Sequence, residues 1–386
     1  MAPERILKAL IFTSLFFVSF LHAESEPLDN GRVIIGYVFS EEAVINPNEI
    51  AAEKLTHINY AFSNIENHRI VEGFQYDTQN YRVLQTLKKR NPDLKILTSV
   101  GGWTWSGKFS DMALTESSRQ AFIDSAAAFI KKHQLDGIDI DWEYPGLPGA
   151  GNVHRDEDGK NFTLVLKGLR QRLDKLEGEL GRPLLLTIAS GGFQAFIDQS
   201  DIGNWQRYLD FINIMAYDFH VAAKNTSTGH HAGLYTHPND TRGLSADAAV
   251  KAHLAAGVPP EKLVLGVAFY GRSWASVAAD NQGLHQRGQP NTAEFNGINY
   301  GSNSYHNLFV NVINKNGFTR YWDDIAKAPY LWNQEKRIFV TYDDPESIAL
   351  KTDYVKNKGL KGVMFWAYDS DHETQLLTTI YQGLRK

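Results

Sequence analysis

Leu135-Asp136-Gly137-Ile138-Asp139-Ile140-Asp141-Trp142-Glu143-Tyr144-Pro145 alternates acidic with apolar residues. A strand sends every second side chain to one side, so Asp139, Asp141 and Glu143 share a face and Ile138, Ile140 and Trp142 pack behind them. Asp136 has the other parity and is placed where the strand begins. Three carboxylates on one strand face repel each other, and burial raises their pKa values further. Two bland readings exist, an oxygen-rich metal cluster and a solvated edge strand. The flanking Ile, Trp and Pro instead suit a buried strand that ends abruptly at a pocket. Asp141 and Glu143 stand about 6.6 Å apart, at about 3.3 Å per residue, and point the same way.

Outward from this stretch, short apolar runs recur at Val33–Phe39, His57–Phe62, Lys95–Val100, Gly137–Asp141, Leu184–Ala189, Phe211–Ala216, Leu263–Phe269 and Gly362–Ala367. Most are followed by helical periodicity, as in Gln79–Arg90, Ser117–His133, Phe162–Glu179, Ala246–Ala256 and Pro345–Lys358. Gly181-Arg182-Pro183 closes the third of these helices. Eight strands alternating with helices predict an α/β fold, a (β/α)₈ TIM barrel, whose chemistry gathers at the carboxyl ends of the strands. Residues just past each run therefore become candidates: Ser99, Gly101, Gly102 and Trp103 after the third, Glu143 and Tyr144 after the fourth, Met215, Tyr217 and Asp218 after the sixth. Tyr270 and Arg272 follow the seventh, and Trp366 and Asp369 the eighth. Some ninety residues separate runs seven and eight, far more than a crossover needs. Phe295, Tyr300, Phe318, Tyr321, Trp322 and Trp332 give that stretch enough apolar area to fold.

Composition narrows the class. Of 386 residues, 39 are Lys or Arg and 44 Asp or Glu, a net charge of -5 with no basic run, which argues against nucleic acid. Hydrophobic residues at 43% and charged residues at 22% are ordinary for a globular protein. Aromatics reach 12%, with eight Trp and seventeen Tyr, which suits stacking on the C–H faces of sugars as well as core packing. Arg5 and Lys8 precede an apolar run, Ala9 to Leu21, too short to span a bilayer comfortably; small residues follow at Ala23 and Ser25. Residues 1–23 are read as a secretory signal peptide, leaving about 360 residues, enough for one large domain or two smaller ones. Cysteine is absent, so neither disulfides nor a cysteine-borne lipid anchor is available.

The central stretch resembles the DxxDxDxE signature of the family 18 glycoside hydrolases, the chitinase family, with Asp136, Asp139, Asp141 and Glu143 at its acidic positions. Ser99-Val100-Gly101-Gly102 is similar to its SxGG motif, Met215-Ala216-Tyr217-Asp218 to MxYD, and Tyr270-Gly271-Arg272 to the YxR segment. The resemblance runs from about Val33 to about Asp369. It implies an exported chitinase cleaving β-1,4 bonds between N-acetylglucosamine units with retention, without cofactor or metal. Two carboxylates facing the same way cannot flank a sugar, and in this family the 2-acetamido group of the sugar serves as nucleophile. The resemblance implies that Glu143 is the general acid and base, that Asp141 orients the acetamido N–H and stabilises an oxazolinium ion, and that Asp139 shares protons with Asp141. Tyr217 would polarise the acetamido carbonyl. Asp218, Trp366, Tyr270, Arg272, Trp103, Trp142, Tyr144 and Met215 complete the expected substrate contacts, Trp366 as the stacking floor. For Arg272 a salt bridge with a rim carboxylate competes with a substrate contact.

The same resemblance divides the chain into a signal peptide (1–23), a barrel (24–272 and 339–386) and a small α+β insertion domain (273–338). The expected partner is chitin or its oligosaccharides, and the expected state is a monomer, secreted or periplasmic and free of the membrane after signal removal. Rival readings are an endo-N-acetylglucosaminidase, a peptidoglycan hydrolase and a chitin-binding lectin; the lectin conflicts with the presence of Glu143. Other features are discounted. His220, His230, His231 and His237 lack metal-site spacing, Gly146, Gly149 and Gly151 lack the Lys-Ser/Thr of a phosphate loop, and Asp156-Glu157-Asp158-Gly159 lacks the rest of a calcium loop. Asn161-Phe162-Thr163 fits a glycosylation site only in a host that uses one.

Overall fold

The computed structural model describes residues 31–385 except 225, 292–293, 296–297 and 300–302; of 294–295, 298–299 and 303 it describes the backbone alone. The expected signal peptide and Tyr300 lie outside the described residues.

Eight strands, Val33–Phe39, His57–Glu66, Lys95–Gly101, Gly137–Asp141, Leu185–Gly191, Phe211–Met215, Leu263–Ala268 and Gly362–Trp366, pair in parallel in chain order. The first pairs with both the second and the eighth, which closes the barrel. Residues along them are buried on both faces, Val, Ile and Leu toward the helices and a mixed apolar and polar set inward, as parallel strands covered by crossovers require. The central stretch is thus no edge strand. A short strand, Arg69–Val71, folds back antiparallel on the end of the second barrel strand.

Local chemistry sets the helix limits. Thr115 accepts the Ser118 backbone N–H and opens Glu116–His133, which ends where Gln134 turns left-handed at φ 57°. Gly181, at φ 68°, ends Asp158–Leu180. Asn161 lies in the first turn of that helix, half-buried. Asp344 caps Pro345–Asn357, with Pro345 pre-set for the first turn.

Between the seventh and eighth barrel strands the chain builds a second, antiparallel sheet. Its order is Gln289–Pro290, Tyr270–Ala275, Ile338–Thr341, Ala328–Asn333 and Phe318–Asp323, and Asn303–Ser304 and the helix Tyr305–Asn311 lie beside it. Trp274, Tyr330, Trp332 and Phe339 give it a core of its own. The sheet reaches beyond 273–338 at both ends, because Arg272 pairs with Thr341 and Ser273 with Val340. Tyr270 to Arg272, assigned above to the barrel, already run in this sheet. The reason is that barrel strand seven stops at Ala268 and the chain turns directly into the next strand.

Candidate active site

Asp139 and Asp141 project into the barrel from the fourth strand, and Glu143 stands just beyond its end. Asp139 is fully buried and accepts four hydrogen bonds. The Tyr37 and Ser99 hydroxyls donate at 2.8 Å, Thr187 at 2.6 Å and the Asn213 amide at 3.2 Å. Strand register explains two of these donors, since Ser99 and Thr187 are the lateral neighbours of Asp139 on the adjoining strands. Burial raises the Asp139 pKa, and the donors oppose that rise.

Asp141 has no such cradle. Its Oδ1 is buried without a partner, and burial, then the charges of Glu143 and Asp139, push its pKa well above the usual carboxylate range. The four donors limit the rise at Asp139, and Asp141, which lacks them on its Oδ1, is raised further. Glu143 is 9% exposed. Burial raises its carboxyl to about 7, the Asp218 charge adds to that, and a hydrogen bond from Tyr144 opposes it.

The strand end is braced from below. Gly102 N–H donates to the Asp141 carbonyl at 2.8 Å. The Ser106 hydroxyl meets the Glu143 N–H at 2.9 Å and the carbonyls of Gly102 and Asp141. Gly101, at φ 106°, leaves no room for a side chain, since a Cβ there would lie 2.3 Å from the Asp141 carbonyl oxygen.

Facing this strand, the Tyr217 hydroxyl is held protonated by burial and by the charges of Asp141, Asp218 and Glu143. It lies 3.9 Å from Met364 Sδ, a weak contact that leaves its proton available to a bound ligand. Asp218 sits in the left-handed region at φ 56°, an uncommon backbone state for a residue other than glycine. Arg272 grips it with two bonds of 2.8 and 2.7 Å, and His231 Nδ1 stands 3.5 Å away. Burial alone would raise its pKa, but His231 and Arg272 outweigh burial and hold it below the usual range. Tyr270 is 6% exposed, packed edge-on to Tyr217 and under the Arg272 guanidinium. The structure therefore places Tyr270 and Arg272 as braces of Tyr217 and Asp218, favouring the salt bridge over a direct substrate contact.

An aromatic floor closes the mouth. Trp366 ends the eighth strand and stacks on Phe62 at 5.4 Å and 17°, with Tyr37 and Phe39 tilted against it. Phe74 and Trp105 continue the row beyond Phe39. On the other side Trp103 is 51% exposed and meets the edge of Tyr144, itself packed on Phe193 and Phe196. Met215, half-buried, packs against the buried cluster around Tyr37 and Met364 that Tyr217 and Trp366 also cover.

One expectation, that for Trp142, changes on this geometry, while Asp136 stands where the strand begins, as its parity implied. Trp142 is 1% exposed and stacks on Phe109 at 5.2 Å on the helix side of the strand; its parity, opposite to Asp141 and Glu143, denies it to a ligand. Asp136 lies at the far end of the strand from the rim, where it receives the Ile96 N–H and pairs with Lys88 and Arg182. Sequence reasoning missed Tyr37, Thr187 and Asn213 as partners of Asp139. A polar residue at an inward position of an apolar strand, as in Phe211-Ile212-Asn213-Ile214, was the available signal. Phe39, Phe62, Phe74 and Trp105 carried none, because floor and core aromatics read alike.

Residues 33–371 match the sequence profile described as "Glycosyl hydrolases family 18". The chain belongs to this family. Among curated relatives it is 38% identical over 413 residues to chitinase A1 of Niallia circulans, covering 92% of this chain and 58% of that protein. It is 36% identical to chitinase A of Pseudoalteromonas piscicida, covering 79% of this chain and 41% of that one. The chain thus spans about half the length of these two family 18 relatives. Among solved structures, a family 18 N-acetylglucosaminidase from Paenibacillus barengoltzii is 43% identical, with a TM-score of 0.83 over 91% of this chain and 99% of that one. Chitinase ChiA74 from Bacillus thuringiensis is 36% identical, with a TM-score of 0.85 over 92% and 69%. The family 18 barrel is the fold described above.

Proposed function

We propose that this family 18 protein is an exported, retaining chitinase in which the substrate supplies the nucleophile. The observation that carries this reading is the distribution of protons among its carboxyls. Glu143 keeps its proton up to about 7 at the rim, where a general acid is needed. Asp218, on the loop after the sixth barrel strand, is locked by Arg272, which disfavours it as a nucleophile. Asp141 and the Tyr217 hydroxyl, close enough that the charge of Asp141 raises the Tyr217 pKa, are the partners assigned to the acetamido group. In this reading protonated Asp141 turns its partnerless oxygen to the acetamido N–H. Tyr217 donates to the acetamido carbonyl, and the carbonyl oxygen attacks the anomeric carbon as Glu143 protonates the leaving sugar. Water then opens the oxazolinium ion from the same face, with Glu143 as base, so configuration is retained.

Trp366 serves as the floor at the cleavage point, and Trp103 and Tyr144 as a wall. The antiparallel sheet between barrel strands seven and eight serves as the insertion domain of one family 18 subgroup. Residues 1–23 serve as the export signal; none of the described helices is long and apolar enough to cross a membrane.

A second reading has its own support. The Paenibacillus N-acetylglucosaminidase is matched along nearly its whole chain, so release of single sugars competes with internal cutting. Digestion of chitin oligosaccharides, followed by product length and anomeric form, tests both. Short oligomers released first as β-anomers are the expected result, and monosaccharide from the outset selects the second reading. Fully deacetylated chitosan should resist the enzyme; efficient cleavage there would overturn substrate assistance.

A further inference from the structure

Three segments remote in sequence converge outside the groove: the loop after the sixth barrel strand, the turn before Gln289–Pro290, and the end of strand Phe318–Asp323. They bring His237, His285 and Asp323 together, each offering one ligand atom, with these atoms within 4.8 Å of one another. The two imidazole rings stand 4.8 Å apart, centre to centre. We propose that His237, His285 and Asp323 form a binding site for one divalent transition-metal ion of the zinc class.

Donor chemistry supports the choice of metal. Two imidazoles and one carboxylate suit zinc and its neighbours rather than calcium or magnesium, and three protein ligands leave a fourth position for water. His285 Nε2 is buried and has no hydrogen-bond partner, an expensive state that a metal bond relieves. Asp323 is oriented as ligating carboxylates are. Its Oδ1 accepts the N–H groups of Ile325 and Ala326, and its Oδ2 accepts His230 Nε2 at 3.0 Å, leaving lone pairs free for an ion. Nearby, His220 pairs with Asp240 at 2.9 Å.

Ligand atoms around a tetrahedral zinc stand about 3.4 Å apart, so atoms within 4.8 Å of one another have to close by up to about 1.4 Å. His237 is half-buried on a loop and can make that movement. Its Nδ1 accepts the Asn239 N–H at 3.0 Å; coordination through Nε2 moves the ring proton to Nδ1 and releases that contact. The ion would tie the loop that carries Tyr217 and Asp218 to the antiparallel sheet, a cross-link between one groove wall and the barrel. Sequence spacing concealed this site because its ligands come from three separate loops and strands.

The test is calorimetric titration of the chelator-stripped full chain with zinc chloride near neutral pH, with calcium and magnesium as controls. One zinc per chain is expected, with binding at least about tenfold weaker in His237→Ala and in His285→Gln. At a hundredfold excess over Kd, zinc should raise Tm by about 3 °C in the unmodified chain and not in His237→Ala. Should either variant fail to fold, the cobalt(II) spectrum of the unmodified chain decides: intense four-coordinate bands support the site, and weak six-coordinate bands overturn it. Absence of saturable zinc binding, or equal affinity in both folded variants, also overturns it.

Discussion

Glu143 and Asp139 are both buried carboxyls, yet their surroundings give them opposite chemical duties. Four donors stabilise Asp139 as an anion, whereas Glu143 has one hydroxyl beside it and the Asp218 charge to face. A general acid must begin each turnover protonated, so activity should fall as pH rises through about 7. A kcat/KM profile locates that limb, and a limb near the ordinary Glu value of 4.5 would remove Glu143 from the role. Glu143→Gln should keep oligosaccharide binding and lower kcat by about 10²–10⁴-fold. The same substitution bears on stability. Because the folded pKa lies above the ordinary value, the native state holds the proton more tightly, and stability falls as pH rises from about 4.5 through about 7. Glu143→Gln removes this penalty, so thermal melts should show the variant gaining on the parent above pH 7 and not near pH 4.

Among the elements, the third and fourth barrel strands act as a unit. Gly102, at φ 78°, lies so close to Phe62 that a Cβ would meet its ring at 2.6 Å, and Phe62 underlies Trp366. Gly102→Ala therefore adds left-handed strain and displaces the aromatic floor, with an expected cost of about 2–3 kcal/mol. Denaturant melts read the stability loss, and a raised KM reads the floor; an unchanged KM would detach Phe62 and Trp366 from substrate binding. Trp142, only one residue from Asp141, shows how strictly strand parity sorts function. Its ring packs among Phe109 and Phe162, where it holds the strand against the helices.

Across the whole molecule, barrel and antiparallel sheet are joined by charge as well as by chain. Arg320 on the sheet binds Asp344, the cap of the barrel helix Pro345–Asn357, at 2.8 Å, and also Glu346. Nearby, the fully buried pair Lys351 and Asp343 fastens the same helix. Asp344→Ala removes the cap and one of the two carboxylates that hold a half-buried guanidinium. About 2 kcal/mol should be lost, a Tm fall of roughly 2–4 °C, while the basic limb of the pH profile stays in place.

The barrel was legible because its signals are local. Buried parallel strands announce themselves as apolar runs, and Val33–Phe39 and Gly137–Asp141 match their expected limits residue for residue. Alternation alone placed Asp139, Asp141 and Glu143 on one face and Trp142 on the other. What the chain order could not supply were contacts between strands. Asp139 is cradled and Asp141 is not, because Tyr37, Ser99, Thr187 and Asn213 arrive from four other strands. Arg272 is committed to Asp218 because the antiparallel sheet begins at Tyr270. His237, His285 and Asp323 meet only when two loops fold over one strand end. Strand periodicity repeats every two residues and is written in sequence; proton placement and ligand geometry depend on distances of a few ångströms between remote segments, which only the closed barrel and the antiparallel sheet beside it set.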